Sequence, residues 1–174
     1  MRDQKMNPLK IQGSYAGALG LPQFMPSSYR HYAVDFSGDG HKNLFNNDAD
    51  VIGSIANYFK KHGWQGNRPI AVKANVSGRK FQQIIKMGIK PKYTIAQLRK
   101  FGIYPQDKVD SSLKAALIEL DGKNGSEYWL AFQDFYAITR YNHSQKYAMA
   151  VYDLSQEIVH YRRLALKESQ KKRS

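Results

Sequence analysis

The sequence has no cysteine, so neither disulfides nor thiolate metal sites can form, a composition compatible with any compartment. It has no apolar run near the roughly 18 residues of a membrane-spanning helix, and its first residues hold no signal-peptide hydrophobic stretch. No export or lipid-anchor signal is therefore expected in the sequence as written. Internal repeats and low-complexity linkers are lacking too. Acidic residues are scarce: 14 Asp plus Glu face 27 Lys plus Arg, a formal charge of +13 that attracts polyanions such as cell wall, nucleic acid or acidic lipid. The cations are scattered and no nucleic-acid recognition motif accompanies them, which argues against a nucleic-acid partner. Glutamate is sparse, with Glu119 the first in the chain.

The 42% apolar and 13% aromatic content over 174 residues predicts a folded chain of one compact domain or two small lobes. Patterning suggests an α+β, mainly helical chain in three parts, 1–66, 67–132 and 133–174. In the first, Pro26 suits a helix start, so PSSYRHYA is expected to be helical. Asp50 is expected to cap a helix running to about His62 and ended by Gly63, with Ile52, Ile55, Ala56 and Phe59 as its core stripe. Tyr58 lies off that stripe, free to face a groove.

The second part changes period. PIAVKANV alternates, with Ile70, Val72, Ala74 and Val76 set against Lys73 and Asn75, and reads as a strand. GRKFQQIIKMG offers Phe81, Ile84 and Ile85 to one side of a short helix, and Thr94 with Gln97 forms a capping box for a helix ending at Gly102. AALIEL and EYWLAF flank the turn-rich DGKNGS, a hairpin signal. In the third part, FYAITRYNHSQKY precedes a helix whose stripe is Val151, Leu154, Ile158, Tyr161 and Ala165, and KESQKKRS reads as a fraying basic tail.

Two stretches carry chemistry. Asp35, Ser37, Asp39, Gly40 and His41 fill positions 1, 3, 5, 6 and 7 of a calcium loop, where position 7 contributes its backbone carbonyl. His41 is thus not expected to ligate through its ring. Position 12 is neutral Asn46, so Asp50 or Asp48 has to close a slightly longer loop. Asp/Gly-rich turns of this type also occur without an ion. Just upstream, GSYAGALG has three glycines in eight residues, allowing close approach of backbone to a ligand, and Ser14 and Gln23 offer neutral hydrogen-bonding groups suited to sugar hydroxyls and acetamides. The same glycines could serve turns alone, and Gln23 could cap a helix. Tyr58, Tyr141 and Tyr147 are either half-buried aromatics or flat faces for sugar rings.

GSYAGALGLPQFMPSSYRHYAVDFSGDGH, DVIGSIANYFKKHGW, EYWLAFQDFYAITRYN and YAMAVYDLSQEI, in that order, resemble segments of the membrane-bound lytic murein transglycosylase B family. The resemblance covers nearly the whole chain. It implies a partial lysozyme-like core in 1–66 and 133–174, an inserted small β-containing lobe in 67–132, and an EF-hand-like Ca2+ site at Asp35, Ser37, Asp39, His41 and Asp50. It also implies a substrate groove of Ser14, Gln23, Tyr58, Tyr141 and Tyr147, with Asn142 beside them.

The family cleaves peptidoglycan glycan strands between N-acetylmuramic acid and N-acetylglucosamine, using one carboxylic acid that protonates the glycosidic oxygen and then takes the proton of the muramyl 6-hydroxyl. The sugar supplies its own nucleophile, unlike the two-carboxylate hydrolases. That acid precedes the GSYAG loop in the family, whereas Glu119, Glu127, Glu157 and Glu168 of this chain match no catalytic position. The expectation is an N-terminally truncated and inactive transglycosylase, a monomer of the periplasm or inner face of the outer membrane, with Ile52, Ile55 and Phe59 partly uncovered. The alternative is a non-catalytic, calcium-stabilised peptidoglycan-binding module.

Overall fold

A computed structural model describes residues 13–171, which mix helix and strand and divide into two units between Trp64 and Gln65. In the first unit, helix α1 spans Pro26–Tyr32 and α2 spans Asp48–Lys61. Pro26 opens α1 because its missing N–H has no intrahelical partner there. The α2 cap is Asn47, whose side chain accepts from the Ala49 and Asp50 amides, and not Asp50. Asp50 instead sits fully buried within the first turn.

The expected core stripe of α2 is also not the one the unit uses. Asp50, Val51, Gly53, Ser54 and Tyr58 point inward, while Ile52 is 66% exposed and Ile55 and Phe59 are half-buried. Polar demand in the preceding loop explains the rotation. The Ser54 hydroxyl accepts from the Val34 amide at 2.9 Å, and Asp50 accepts from the amides of Phe36, Ser37 and Asn43 at 2.8–2.9 Å. Four backbone amides find their acceptors in this way, at the cost of exposing one isoleucine. Gly53 allows the close approach, since a Cβ there would lie 2.6 Å from the Phe36 side chain.

The second unit is built on an antiparallel sheet ordered β2-β4-β5-β1-β3, from β1 (Ala71–Val76), β2 (Tyr93–Thr94), β3 (Ile103–Pro105), β4 (Lys114–Gly122) and β5 (Gly125–Ala131). The expected hairpin is β4–β5, closing at the Gly122–Gly125 pair. In β1 the alternation holds, with Val72 and Ala74 buried and Lys73 and Asn75 exposed. Val72 and Ala74 pack with Leu117 and Leu130 beneath α3 (Phe81–Lys86) and α4 (Ile95–Leu98), which contribute Ile84, Ile95 and Leu98. Thr94 and Gln97 close the capping box, and a 3-10 turn runs on to Gly102 in the left-handed region at φ 76°. Gly102 is obligatory there, because a Cβ would sit 2.2 Å from the Ser77 carbonyl oxygen.

Helices α5 (Gln133–Tyr141) and α6 (Gln145–Lys171) complete the unit. Phe135, Ala137 and Ile138 bury α5, and the Tyr152 hydroxyl of α6 donates to the Ala71 carbonyl of β1. Of α6, only Ala148 and Met149 are buried. The expected α6 stripe is therefore largely uncovered, with Leu154, Ile158 and Tyr161 58–65% exposed. No helix among the described residues is long and apolar enough to cross a membrane.

Candidate functional site

Residues 13–24 form a compact loop, tied by bridges from Leu19 to both Gly13 and Phe24. The Ser14 hydroxyl accepts from the Ala18 amide at 3.0 Å, which holds it at the exposed edge of the turn. Gln23 is exposed and left-handed at φ 52°, conformationally costly by about 1–2 kcal/mol for a non-glycine residue. Its Nε2 donates to the Gly20 carbonyl at 2.8 Å, and no donor meets its amide oxygen among the described residues. Strain of this kind concentrates where a ligand is held.

The acidic loop follows. Asp35, Asp39 and Asp50 each offer a carboxylate oxygen, all within 4.8 Å of one another. Three like charges converge with no ion pair to a cation among the described residues, an arrangement that a hard dication would satisfy. Hydrogen bonds within the loop hold the carboxylates. Asp35 accepts from the Ser37 hydroxyl and the amides of Gly38, Asp39 and Gly40, and Asp39 accepts from the His41 amide. Carboxylate oxygens have further lone pairs, so these bonds do not exclude a metal.

Burial would raise the Asp35 carboxyl, but the amides of Gly40 and Gly38, the Ser37 hydroxyl and the Asp39 amide outweigh it and hold the pKa below the usual value. The Asn43 and Ser37 amides do the same for Asp50 against its desolvation. Both therefore keep their charge to lower pH than a free aspartate. Of the two carboxylates that could close the loop, Asp50 joins the cluster, while Asp48 lies exposed on the first turn of α2.

Tyr58 is only 8% exposed, and this corrects the expectation that it is free on the helix surface. Its ring stacks on His62 with centroids 4.1 Å apart and meets Tyr32 edge-on at 4.7 Å. Phe24, at the end of the Gln23 loop, is 5.7 Å away, so Tyr58 braces that loop. In the second unit the α5–α6 corner gathers Tyr141, Asn142 and Tyr147. Asn142 ends α5 and accepts from the Ser144 amide, Ser144 accepts from the Tyr147 amide, and Tyr147 is 38% exposed.

Sequence reasoning missed Asp134. Buried at the start of α5, it accepts from the Gln65 and Gly66 amides at 2.7 and 3.0 Å and fastens the segment that leads into β1. The partners lie 68 and 69 positions away, beyond any local signal.

Residues 1–156 match the family described as Transglycosylase SLT domain. Membrane-bound lytic murein transglycosylase B of Escherichia coli (strain K12) is 50% identical over 90% of this chain and 42% of its own length. Among solved structures, soluble lytic transglycosylase SltB1 from Pseudomonas aeruginosa superposes with a TM-score of 0.85 at 45% identity, covering 92% of this chain and 53% of that one. Escherichia coli Slt35 in complex with calcium gives 0.79 at 48%, covering 92% and 50%. SltB3 from Pseudomonas aeruginosa, in complex with NAG-anhNAM-pentapeptide, gives 0.73 at 29%, covering 86% and 41%. The chain thus spans less than half of this curated relative's length and about half of these SltB1 and Slt35 chains. Matched to that family over 1–156 and half identical to a lytic murein transglycosylase B over nine-tenths of its length, the chain belongs to the lytic transglycosylase family.

Proposed function

We propose that this chain supplies peptidoglycan binding and a calcium-held loop to a lysozyme-like lytic transglycosylase, and that it does not itself supply the proton donor for cleavage between N-acetylmuramic acid and N-acetylglucosamine. The co-linear identity with murein transglycosylase B carries the reading. In the first unit, Ser14 and Gln23 orient a glycan through hydroxyl and acetamide hydrogen bonds, and Tyr58 stiffens their loop. In the second, Tyr141 and Tyr147 offer apolar faces to sugar C–H surfaces, with the Asn142 amide beside them. Asp35, Asp39 and Asp50, with the Ser37 hydroxyl and the His41 carbonyl, hold Ca2+ in an EF-hand-like loop. The calcium complex of a relative supports that assignment. The metal fixes the loop next to residues 13–24.

A general acid must hold its proton at working pH, which requires a raised carboxyl pKa. Here Asp35, Asp50, Asp110 and Asp121 are all shifted downward. Glu127 is paired with Lys73 at 3.2 Å, Glu119 accepts from the Tyr128 hydroxyl, and Glu157 and Glu168 are exposed on α6. We assign none of these the role of the acid. We further propose, on the resemblance alone, that the chain acts as a monomer in the periplasm or at the inner face of the outer membrane.

Incubation with murein sacculi, followed by pulldown and mass spectrometry, tests both halves. Retention on sacculi without release of 1,6-anhydromuropeptides is expected. Robust anhydro product refutes the silence, and absence of retention refutes the binding.

A further inference from the structure

A cavity of about 670 Å3 in the second unit is lined by the segment 65–69, by Val72 of β1 and by the loop that follows β3. Its size lies within the range of small-ligand sites. No aromatic side chain lines it, so it lacks the flat apolar face on which sugar rings stack. What it offers is charge of both signs over an apolar floor. Arg68 and Lys108 stand with Asp107 and Asp110 around Val72, Val109 and Leu113. Arg68 and Leu113 also line an adjoining cavity of about 310 Å3 that adds Lys114.

The Arg68 wall is built with care. Gly66 and Asn67 are both left-handed, at φ 63° and 39°, an uncommon pair at a region that asparagine enters more readily than other non-glycine residues. The two amides donated to buried Asp134 hold this bend and so aim Arg68. Across the cavity, Asp110 is fastened by the amide and hydroxyl of Ser112, both at 2.8 Å. Arg68 is near enough to Asp110 to help the Ser112 bonds keep that carboxyl below its usual range, and neither Arg68 nor Lys108 stands within ion-pair distance of a carboxylate among the described residues.

We propose that this cavity binds a short zwitterionic peptide, with carboxylates on Arg68 and Lys108 and a free amine between Asp107 and Asp110. An arginine fork matches a carboxylate bidentately, and paired aspartates suit an ammonium. Taken with the murein-binding reading on which it rests, the occupant is the stem peptide carried by the glycan. The small lobe then distinguishes peptide-bearing from bare strands.

Calorimetric titration of the chain in about 0.15 M salt, where distant surface charge is screened, tests this with three probes: a synthetic stem tetrapeptide with free carboxylates and side-chain amine, the same peptide amidated and N-acetylated, and a peptide-free chitooligosaccharide. The free peptide is expected to bind and its blocked form to bind at least about tenfold more weakly. Arg68→Ala should lose about tenfold or more, Arg68→Lys should recover part, and Arg99→Ala, an exposed cation outside the cavity, should change nothing, with circular dichroism unaltered throughout. Equal binding by the original and Arg68→Ala chains, or no binding of free peptide, overturns the proposal. If the oligosaccharide still binds in that case, the glycan reading stands without it. If the peptide alone binds, the cavity assignment stands and the glycan reading falls.

Discussion

Calcium should stabilise this chain by an amount the loop itself bounds. The cluster presents three carboxylates, Asp35, Asp39 and Asp50, on a surface loop, of which only Asp50 is fully buried. Sites of low ligand charge and partial exposure fall toward Kd values of about 0.1–1 mM, against the micromolar range of charge-rich sensor loops. At 10 mM calcium the ion is then at roughly 10 to 100 times Kd, which by mass action adds about 1.4–2.7 kcal/mol. For a chain of this length each kcal/mol moves Tm by about 2–4 °C, so a rise of about 3–11 °C is expected between EDTA and 10 mM calcium.

The variants separate ligand from scaffold. Among the described residues Asp39 accepts only from the His41 amide, so Asp39→Ala should abolish the calcium-dependent rise while changing the EDTA curve little. Asp50 also holds the amides of Phe36, Ser37 and Asn43, so Asp50→Asn should lower Tm even in EDTA. Differential scanning calorimetry reads all of this. An original chain whose Tm is the same in EDTA and 10 mM calcium, or an Asp39→Ala chain that keeps the full rise, refutes the site.

Acid should weaken the fold. Asp35 and Asp50 have folded pKa values below the unfolded 3.8, so their stabilisation is complete above that value and is lost as pH falls through the lower folded values. Urea midpoints in calcium-free buffer should therefore drop below pH 4, and Asp50→Asn should flatten the slope. Asp134→Ala removes two charge-assisted hydrogen bonds, each worth about 1.5–3 kcal/mol, and with water replacing part of the loss should cost about 2–4 kcal/mol in chemical unfolding. A cost below about 1 kcal/mol would show that the 65–68 segment is held by something else. Tyr147→Ala, at an exposed position, should leave stability within about 0.5 kcal/mol yet lower retention on sacculi in salt that suppresses the +13 field. Retention that disappears with salt and ignores the substitution would be charge alone.

Local chemistry in the sequence determined much of this protein without help from the fold. Pro26 starts α1, Thr94 and Gln97 cap α4, and the Val72/Ala74 alternation sets which side of β1 is buried. Each is settled within about four residues, the reach of turn and cap hydrogen bonds. The acidic loop was legible for the same reason, since its turn bonds run from Asp35 to residues two to five positions on.

Tertiary structure decided what depends on distant partners. The apolar spacing of α2 points to Ile52 and Phe59, but three amides of the loop before it needed the Asp50 carboxylate, and satisfying them turned Asp50, Ser54 and Tyr58 inward. The spacing of α6 marks a stripe but cannot say what covers it, and Leu154, Ile158 and Tyr161 remain exposed. Strands β2 and β3, of two and three residues, are too short to show any period and exist only because β4 and β1 offer unpaired edges. The Asp134 pin joins residues 68 and 69 positions apart, and no pattern along a chain records a hydrogen bond that only folding brings within reach.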